Sequence, residues 1–327
     1  MSGTVRFLSA ADVGRALSME AAIAAVRDAF VHLSIGDAQV PLRTTIPLGG
    51  SASGLFMPVH LPGLGKLGLK VITIVPGNPR RGLPTTQALL IVFDAATGRA
   101  EAVMDGEVLT AVRTGAATGV ATDVMARADA AVAAVIGGGV QGHRQLEGVC
   151  CVRQVREALV YDENQETALR FADNLAESLG IPVRVLHRVS GIREADVICT
   201  ATSSPRPVFS DADLAPGTHI NAIGAFKPDA REIPGPTVGR ARIAVDSRSA
   251  CLAEAGDLIM AINEGHLPGD VRPAELGELV AGTAPGRADD HEITLFKSVG
   301  NAVQDLAVAG LVLAEAERLG LGTEVRL

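Results

Sequence analysis

The sequence predicts an α/β protein in which a doubly wound parallel sheet is joined to a smaller α+β part. Three observations carry this. Between Ala130 and Asp246, short apolar segments alternate with helix-compatible stretches, the pattern of a sheet covered by helices on both faces. One of those segments runs straight into a glycine-rich turn at Gly137. The residues ahead of them behave differently: an amphipathic helical run gives way to β-branched, alternating segments between Gly/Pro turns, which reads as an antiparallel sheet.

In chain order, Ser18 can cap a helix in which Ala22, Val26, Phe30 and Leu33 recur at helical spacing. Leu42 to Phe93 holds the antiparallel segments, with Leu67 to Val75 and Gln87 to Phe93 on either side of the turn Pro76-Gly-Asn-Pro79. Thr110 is placed to cap a long helix ending near Ala126, and a domain boundary is expected near residue 125. Six strands follow: Ala131 to Ile136, Ala158 to Tyr161, Val183 to Leu186, Val197 to Ala201, His219 to Ile223 and Ile243 to Val245. A last helix, from about Val299 to Leu319, is expected to cross back onto the first sheet, which otherwise lacks a covering partner.

A chain of 327 residues with 47% hydrophobic side chains can fill two sizeable cores. With 20% charged residues and a formal net charge of -8, it has no dense basic surface to neutralise a phosphate backbone, so nucleic acid is not an expected partner. Cys150, Cys151, Cys199 and Cys251 form no CxxC pair and have no His cluster nearby, so no metal site is expected, and they read as buried thiols in a reducing compartment. Met1 to Ala10 lacks a basic segment followed by an apolar run, and no stretch is apolar for long enough to span a bilayer; the expectation is a cytoplasmic protein without a membrane partner.

Ile136 closes an apolar strand, and Gly137-Gly-Gly139-Val140-Gln141-Gly142 then satisfies GxGxxG ahead of a helix-compatible stretch. Glycines there allow a tight turn and close approach to a pyrophosphate, whose charge is stabilised by free N–H groups and the helix dipole. The next strand ends at Tyr161-Asp162, twenty residues past Gly142, the separation at which a carboxylate reaches an adenosine ribose. Together they predict a Rossmann dinucleotide site. Asp162 would repel a 2′-phosphate, which favours NADH over NADPH, although a carboxylate before Glu163 also suits a helix N-cap. Thr200, Thr202 and Ser203, after the fourth strand, stand either at the cofactor edge or in a plain polar turn.

Three cations stand in awkward places. Lys70 alternates onto the face of Ile72 and Ile74, so it either meets an anion in the interior or snorkels from a strand end. Arg113, read as lying in the first turn of the Thr110 helix, is opposed by the helix dipole, and small neighbours at Thr114 to Ala117 leave room for a ligand or a partner helix. Arg43 precedes the sheet. Spacing alone does not bring the three together.

These segments resemble the ornithine cyclodeaminase/μ-crystallin family. The likeness is carried by Gly82-Leu-Pro-Thr85, Leu109-Thr-Ala-Val-Arg113-Thr, Ile136-Gly-Gly-Gly-Val-Gln141, Ala201-Thr-Ser-Ser-Pro205, Ile220-Asn-Ala-Ile-Gly224 and Phe296-Lys-Ser-Val-Gly300, in order along nearly the whole chain. The resemblance implies a Rossmann domain, residues 126–299, inserted into a dimerisation and substrate domain formed by residues 1–125 and 300–327, and a homodimer. It implies that Arg43, Lys70 and Arg113 converge on a substrate carboxylate, with Thr85 and Arg113 near the cofactor. Val140, Gln141, Asp162, Thr202, Ile220, Asn221, Ala222 and Ser298 would be further cofactor contacts, and Val299 would lie near the substrate.

Members that cyclodeaminate ornithine carry an aspartate two residues after the glycine of Ile-Asn-Ala-x-Gly, where this chain has Phe226. Phenylalanine moves no protons, so cyclodeamination is disfavoured. The resemblance implies instead the reduction of a cyclic imine carboxylate such as 1-pyrroline-2-carboxylate or 1-piperideine-2-carboxylate. An apolar Phe226 suits packing on such a ring, and since hydride attack needs a proton on nitrogen, Lys70 is the first candidate donor, bound water the second, and Lys227, Asp229 and Glu254 weaker ones. An alanine-type amino-acid dehydrogenase and a non-catalytic dinucleotide-binding protein are the alternatives.

Overall fold

A computed structural model describes residues 3–326. In chain order its elements are β1 (Thr4–Leu8), α1 (Ala10–Ala16), α2 (Met19–Ser34), β2 (Thr44–Gly49), β3 (Ala52–Leu61), β4 (Lys66–Ile74), β5 (Thr86–Asp94), β6 (Ala100–Asp105) and α3 (Gly106–Met125). There follow β7 (Val132–Ile136), α4 (Val140–Val152), β8 (Glu157–Tyr161), α5 (Gln165–Leu179), β9 (Val183–Val185), β10 (Val197–Thr200) and β11 (His219–Ala222). The chain continues through α6 (Gly235–Arg240), β12 (Arg242–Val245), α7 (Arg248–Glu254), α8 (Gly256–Asn263), β13 (Ala274–Glu275), α9 (Leu276–Val280), β14 (Thr294–Lys297), α10 (Ala302–Leu319) and β15 (Thr323–Arg326). By contacts, the described residues up to Arg113 and from Asn301 onward form one unit, and Thr114–Gly300 form the other. The division therefore falls inside α3, twelve residues before the end of the helix where composition suggests it.

The first unit is built on a seven-stranded mixed sheet in the order β15-β1-β6-β5-β4-β3-β2. Strands β2 to β6 pair antiparallel, as the alternating pattern predicts, while β1 adds parallel to β6 and antiparallel to β15. Neither terminal strand is expected from the sequence, because the pairing of Thr4 with Arg326 joins segments at opposite ends of it. The Ser18 hydroxyl caps α2, and Ala22, Val26 and Phe30 are fully buried. The last helix does cross back: α10 packs on α2 and on β3, β4 and β5, starting three residues later than expected because Asn301 caps it. On the sheet, cross-strand partners Val71 and Leu89, and Leu69 and Ile91, are only partly covered, with Leu89 54% exposed.

Helix α3 corrects one expectation. Its cap is Asp105, whose Oδ1 accepts from the backbone N–H groups of Glu107 and Val108, not Thr110. Arg113 thus lies two turns inside the helix, where the dipole of the first turn no longer acts on it.

The second unit is an eight-stranded, all-parallel sheet in the order β13-β12-β14-β11-β10-β7-β8-β9. Strand order reverses between β7 and β10, which places the switch point of the doubly wound fold directly beside Gly137. The six expected strands are present to within a residue at each end. Strand β14 was missed although it lies between β11 and β12, since Lys297 breaks the apolar run that marks a central strand. None of the four thiols is in a disulfide; Cys199 and Cys251 are buried, but Cys151 is exposed and Cys150 half-buried, so the expectation of four core cysteines holds for two. Among the described residues no helix is long and apolar enough to cross a membrane.

Candidate functional site

In the second unit, the loop from β7 to α4 is shaped by glycine. Gly137 takes a left-handed φ of 109°, and a Cβ there would lie 2.6 Å from the carbonyl oxygen of Ala201. A Cβ on Gly142 would lie 2.3 Å from the oxygen of Gly137, which is why helix and turn can close this tightly. Gly139 is different: nothing stands within 4 Å of the position its Cβ would take. It is also the N-cap of α4 and offers no side chain to the first turn, leaving the backbone donors there without a side-chain cap. Val140, 72% exposed, and Gln141 follow on that turn.

Asp162, at the end of β8, accepts from Gly138 N (2.9 Å) through Oδ2 and from Asn164 N (2.9 Å) through Oδ1. It does not cap α5, because Asn164 does, accepting from Thr167 N. The carboxylate is therefore fixed to the glycine turn itself. An open, uncapped helix start at a switch point, with an acid anchored to its loop, fits a dinucleotide: the turn would hold the pyrophosphate and Asp162 a ribose.

A buried ionic cluster, unforeseen from the sequence, backs the loops after β10 and β11. Fully buried Glu232 accepts from Thr202 N (2.7 Å), Thr202 Oγ1 (2.8 Å), Thr200 Oγ1 (2.9 Å) and Gly224 N (2.7 Å). Burial pushes its carboxyl above the usual range. Asp257 Oδ1 accepts from the N–H groups of Glu232 and Ile233, and Lys297 Nζ lies 2.8 Å from Asp257 Oδ2 and donates to the Ala225 carbonyl at 2.5 Å. Burial opposes the charge of Lys297, but Asp257 and Glu232 outweigh it and raise its pKa. The logic that singled out Lys70, a lysine within an apolar run, would have found Lys297 as well.

Several residues expected at the cofactor prove to be occupied by their own unit. Ile220 and Ala222 lie in its apolar core, and the fully buried Asn221 amide donates to Thr122 Oγ1 (3.1 Å) and faces His219 Nε2 (3.2 Å). Strand β11 thus has only backbone to offer a ligand. Ser298 donates to Asp246 Oδ2 at 2.6 Å, and Val299, expected near the substrate, is buried in the same apolar core, with Phe226 packed half-buried against it. Lys227 and Asp229 are exposed, and so is Thr85, in the first unit.

In the first unit the cations do come together. Lys70, 1% exposed, places Nζ 2.8 Å from both oxygens of Asp305, a carboxylate on α10 with no exposure at all, and 3.3 Å from Thr110 Oγ1. Arg113 donates through Nε to the same Asp305 Oδ1 (3.0 Å) and through NH1 to Gln304 Oε1 (2.7 Å). Arg43, partly exposed, is near enough for its charge to act on Lys70. Burial brings the Lys70 ammonium down to about 8; Asp305 resists this, while Arg113 and Arg43 add to it. Two cations share one anion, so the cluster carries a surplus positive charge, as a receiver of carboxylates should. Sequence reasoning missed Asp305 and Gln304, although a lone acid inside Val303-Gln-Asp-Leu-Ala-Val308 was a signal of the same kind as Lys70.

The two sites define a class: a dinucleotide-binding α/β protein with a buried cationic cluster in its first unit. The model of the ornithine cyclodeaminase/mu-crystallin family matches residues 4–319, and the chain belongs to that family. It is 37% identical over 321 residues to a delta(1)-pyrroline-2-carboxylate reductase of Bacillus cereus (strain ZK / E33L), covering 97% of this chain and 98% of the relative. Among solved structures it is similar to the delta(1)-pyrroline-2-carboxylate reductase of Thermococcus litoralis in complex with NADH and L-proline, with a TM-score of 0.95, 40% identity and coverage of 98% and 100%. It is likewise similar to an archaeal alanine dehydrogenase dimer with bound NAD, with a TM-score of 0.94, 35% identity and coverage of 99% and 100%.

Replacing Asp305 with Ala strands two buried cations, and the variant is expected to lose roughly 3–5 kcal/mol of stability. Urea unfolding measures this. Wild-type stability would mean that the cluster is reached by water and the pairing is dispensable.

Proposed function

We propose that this protein is an NADH-preferring reductase of cyclic imine carboxylates, converting 1-pyrroline-2-carboxylate or 1-piperideine-2-carboxylate to the cyclic amino acid. The observation that carries the reading is the buried Lys70 ammonium, brought down to about 8 beside Arg113 and Arg43. In this reading, Thr114–Gly300 is the coenzyme part, and the remainder serves substrate binding and dimerisation. The likeness to reductases that bear this activity in their names supports it.

Reduction of the C=N bond needs a hydride at carbon and a proton at nitrogen. NADH, held on the second unit, would supply the hydride. Gly137, Gly139, Val140, Gln141 and Gly142 would hold its pyrophosphate by backbone N–H groups and Asp162 its ribose, with the Thr202 loop toward the nicotinamide. Arg43 and Arg113 grip the substrate carboxylate, so that the ring is oriented before reaction and its charge is stabilised without solvent rearrangement. Lys70 Nζ donates the proton to nitrogen, and Asp305 holds that ammonium in place. Phe226, where cyclodeaminating relatives have an acid, offers no route for ammonia loss.

A lysine that donates must be protonated, so kcat/KM for imine reduction should stay level below about pH 8 and fall roughly ten-fold per unit above it, while oxidation of the cyclic amino acid rises through the same range. Lys70→Met should remove that limb and nearly all turnover while NADH still binds, which titration calorimetry can follow. Normal turnover in the Lys70→Met variant would remove lysine from the chemistry. The same NADH-absorbance assay with pyruvate plus ammonia separates the second reading, an alanine-type dehydrogenase; faster turnover of that pair than of either cyclic imine would favour it.

Removing the negative charge in Asp162→Ser should shift the NADH-to-NADPH ratio of kcat/KM toward NADPH by about ten-fold, since a carboxylate facing a 2′-phosphate is a like-charge contact. A wild type that already prefers NADPH would overturn the role given to Asp162.

The half-covered face formed by Val71, Leu89, Leu69 and Ile91 supports a homodimer through this sheet, because apolar surface of this kind favours a partner. Leu89→Lys should yield a folded monomer in sedimentation velocity. An unchanged dimer would put the interface elsewhere.

A further inference from the structure

We infer that Gln304 is a second substrate-binding residue on α10, donating its amide N–H to the substrate carboxylate beside Arg113; the inference rests on the reading of this cluster as a carboxylate receiver. Gln304 has no exposure. Its Oε1 accepts from Arg113 NH1 at 2.7 Å, which fixes the amide orientation, because the flipped rotamer would set N–H against N–H. The other end, Nε2, has no hydrogen-bond partner among the described residues. Buried donors are rarely left so in folded proteins, and where they are, an absent acceptor is a common reason.

The surroundings say which acceptor. Asp305, the next residue, is already shared by Lys70 and Arg113, so the cluster keeps a surplus positive charge. A carboxylate supplies both missing things, charge and lone pairs, whereas a neutral ligand would satisfy Nε2 but leave the charge. Gln145 makes a useful contrast: its Nε2 is also unpartnered among the described residues, but its oxygen faces the Thr118 hydroxyl, a neutral group, rather than a cation. The orphan beside the cations is the one that an anionic ligand would satisfy.

Two variants separate binding substrate from merely holding Arg113. Gln304→Glu keeps an acceptor for Arg113 but removes the N–H2 group; Gln304→Met removes both. Pyrrole-2-carboxylate, a planar mimic of the imine, is titrated calorimetrically into each protein, alongside NADH, with melting temperature as a check on folding. Both variants are expected to weaken pyrrole-2-carboxylate binding by about ten-fold or more, the loss of a hydrogen bond to a charged group, with the NADH constant unchanged. Wild-type affinity in Gln304→Glu, with loss only in Gln304→Met, would reduce Gln304 to a support for Arg113 and overturn the inference. The reductase reading fails separately, if wild type turns over no cyclic imine, and the carboxylate titration still reports on Gln304 in that case.

Discussion

A carboxylate without water must be neutralised by whatever surrounds it, and Asp305 is such a group. It has no exposure, and its two partners come from β4 and α3, 235 and 192 residues away in the sequence. That constraint accounts for the construction of the first unit. The last helix returns to the opening sheet not only because the sheet needs an apolar cover, but because Lys70 and Arg113 would otherwise be buried cations without an anion. Structure and chemistry meet in the same three side chains, since the pair that stabilises the fold also leaves positive charge over for a ligand.

The second unit solves a different problem with similar means. Its glycine turn must leave backbone donors open toward an anion, so it cannot be stiffened by side chains of its own. Stiffness comes from outside the turn. Asp162 ties down Gly138, and buried Glu232 gathers the loops after β10 and β11 through Thr202 and Gly224. Lys297 then balances Glu232 from behind, while Asp257 holds the Glu232 backbone N–H and pairs with Lys297. A parallel sheet with its switch point at Gly137 brings these loops to one edge, and the buried charges hold them there.

Phe226 is where the family's chemistries part in this chain. An apolar side chain packed half-buried against the core offers neither acid nor base, the groups that ammonia loss requires. At Lys70, burial and the neighbouring arginines weaken the hold on the proton while Asp305 keeps the ammonium positioned.

The sequence by itself determined what is local. GxGxxG after an apolar strand, an acid twenty residues on, the Ser18 helix and the alternation of Leu67 to Val75 are each set by neighbours in the chain, and each is found in the structure. Lys70 could be marked as a cation on an apolar face, but not paired. Only tertiary structure decided that its anion is Asp305, that Arg113 lies inside a helix begun at Gly106, that Lys297 is buried in a central strand, and that Thr4 meets Arg326 across a sheet. Those outcomes depend on which distant segments share an interior. A charge in that interior is tolerated only where folding brings it a counter-charge, and the spacing of residues along a chain does not record which one arrives.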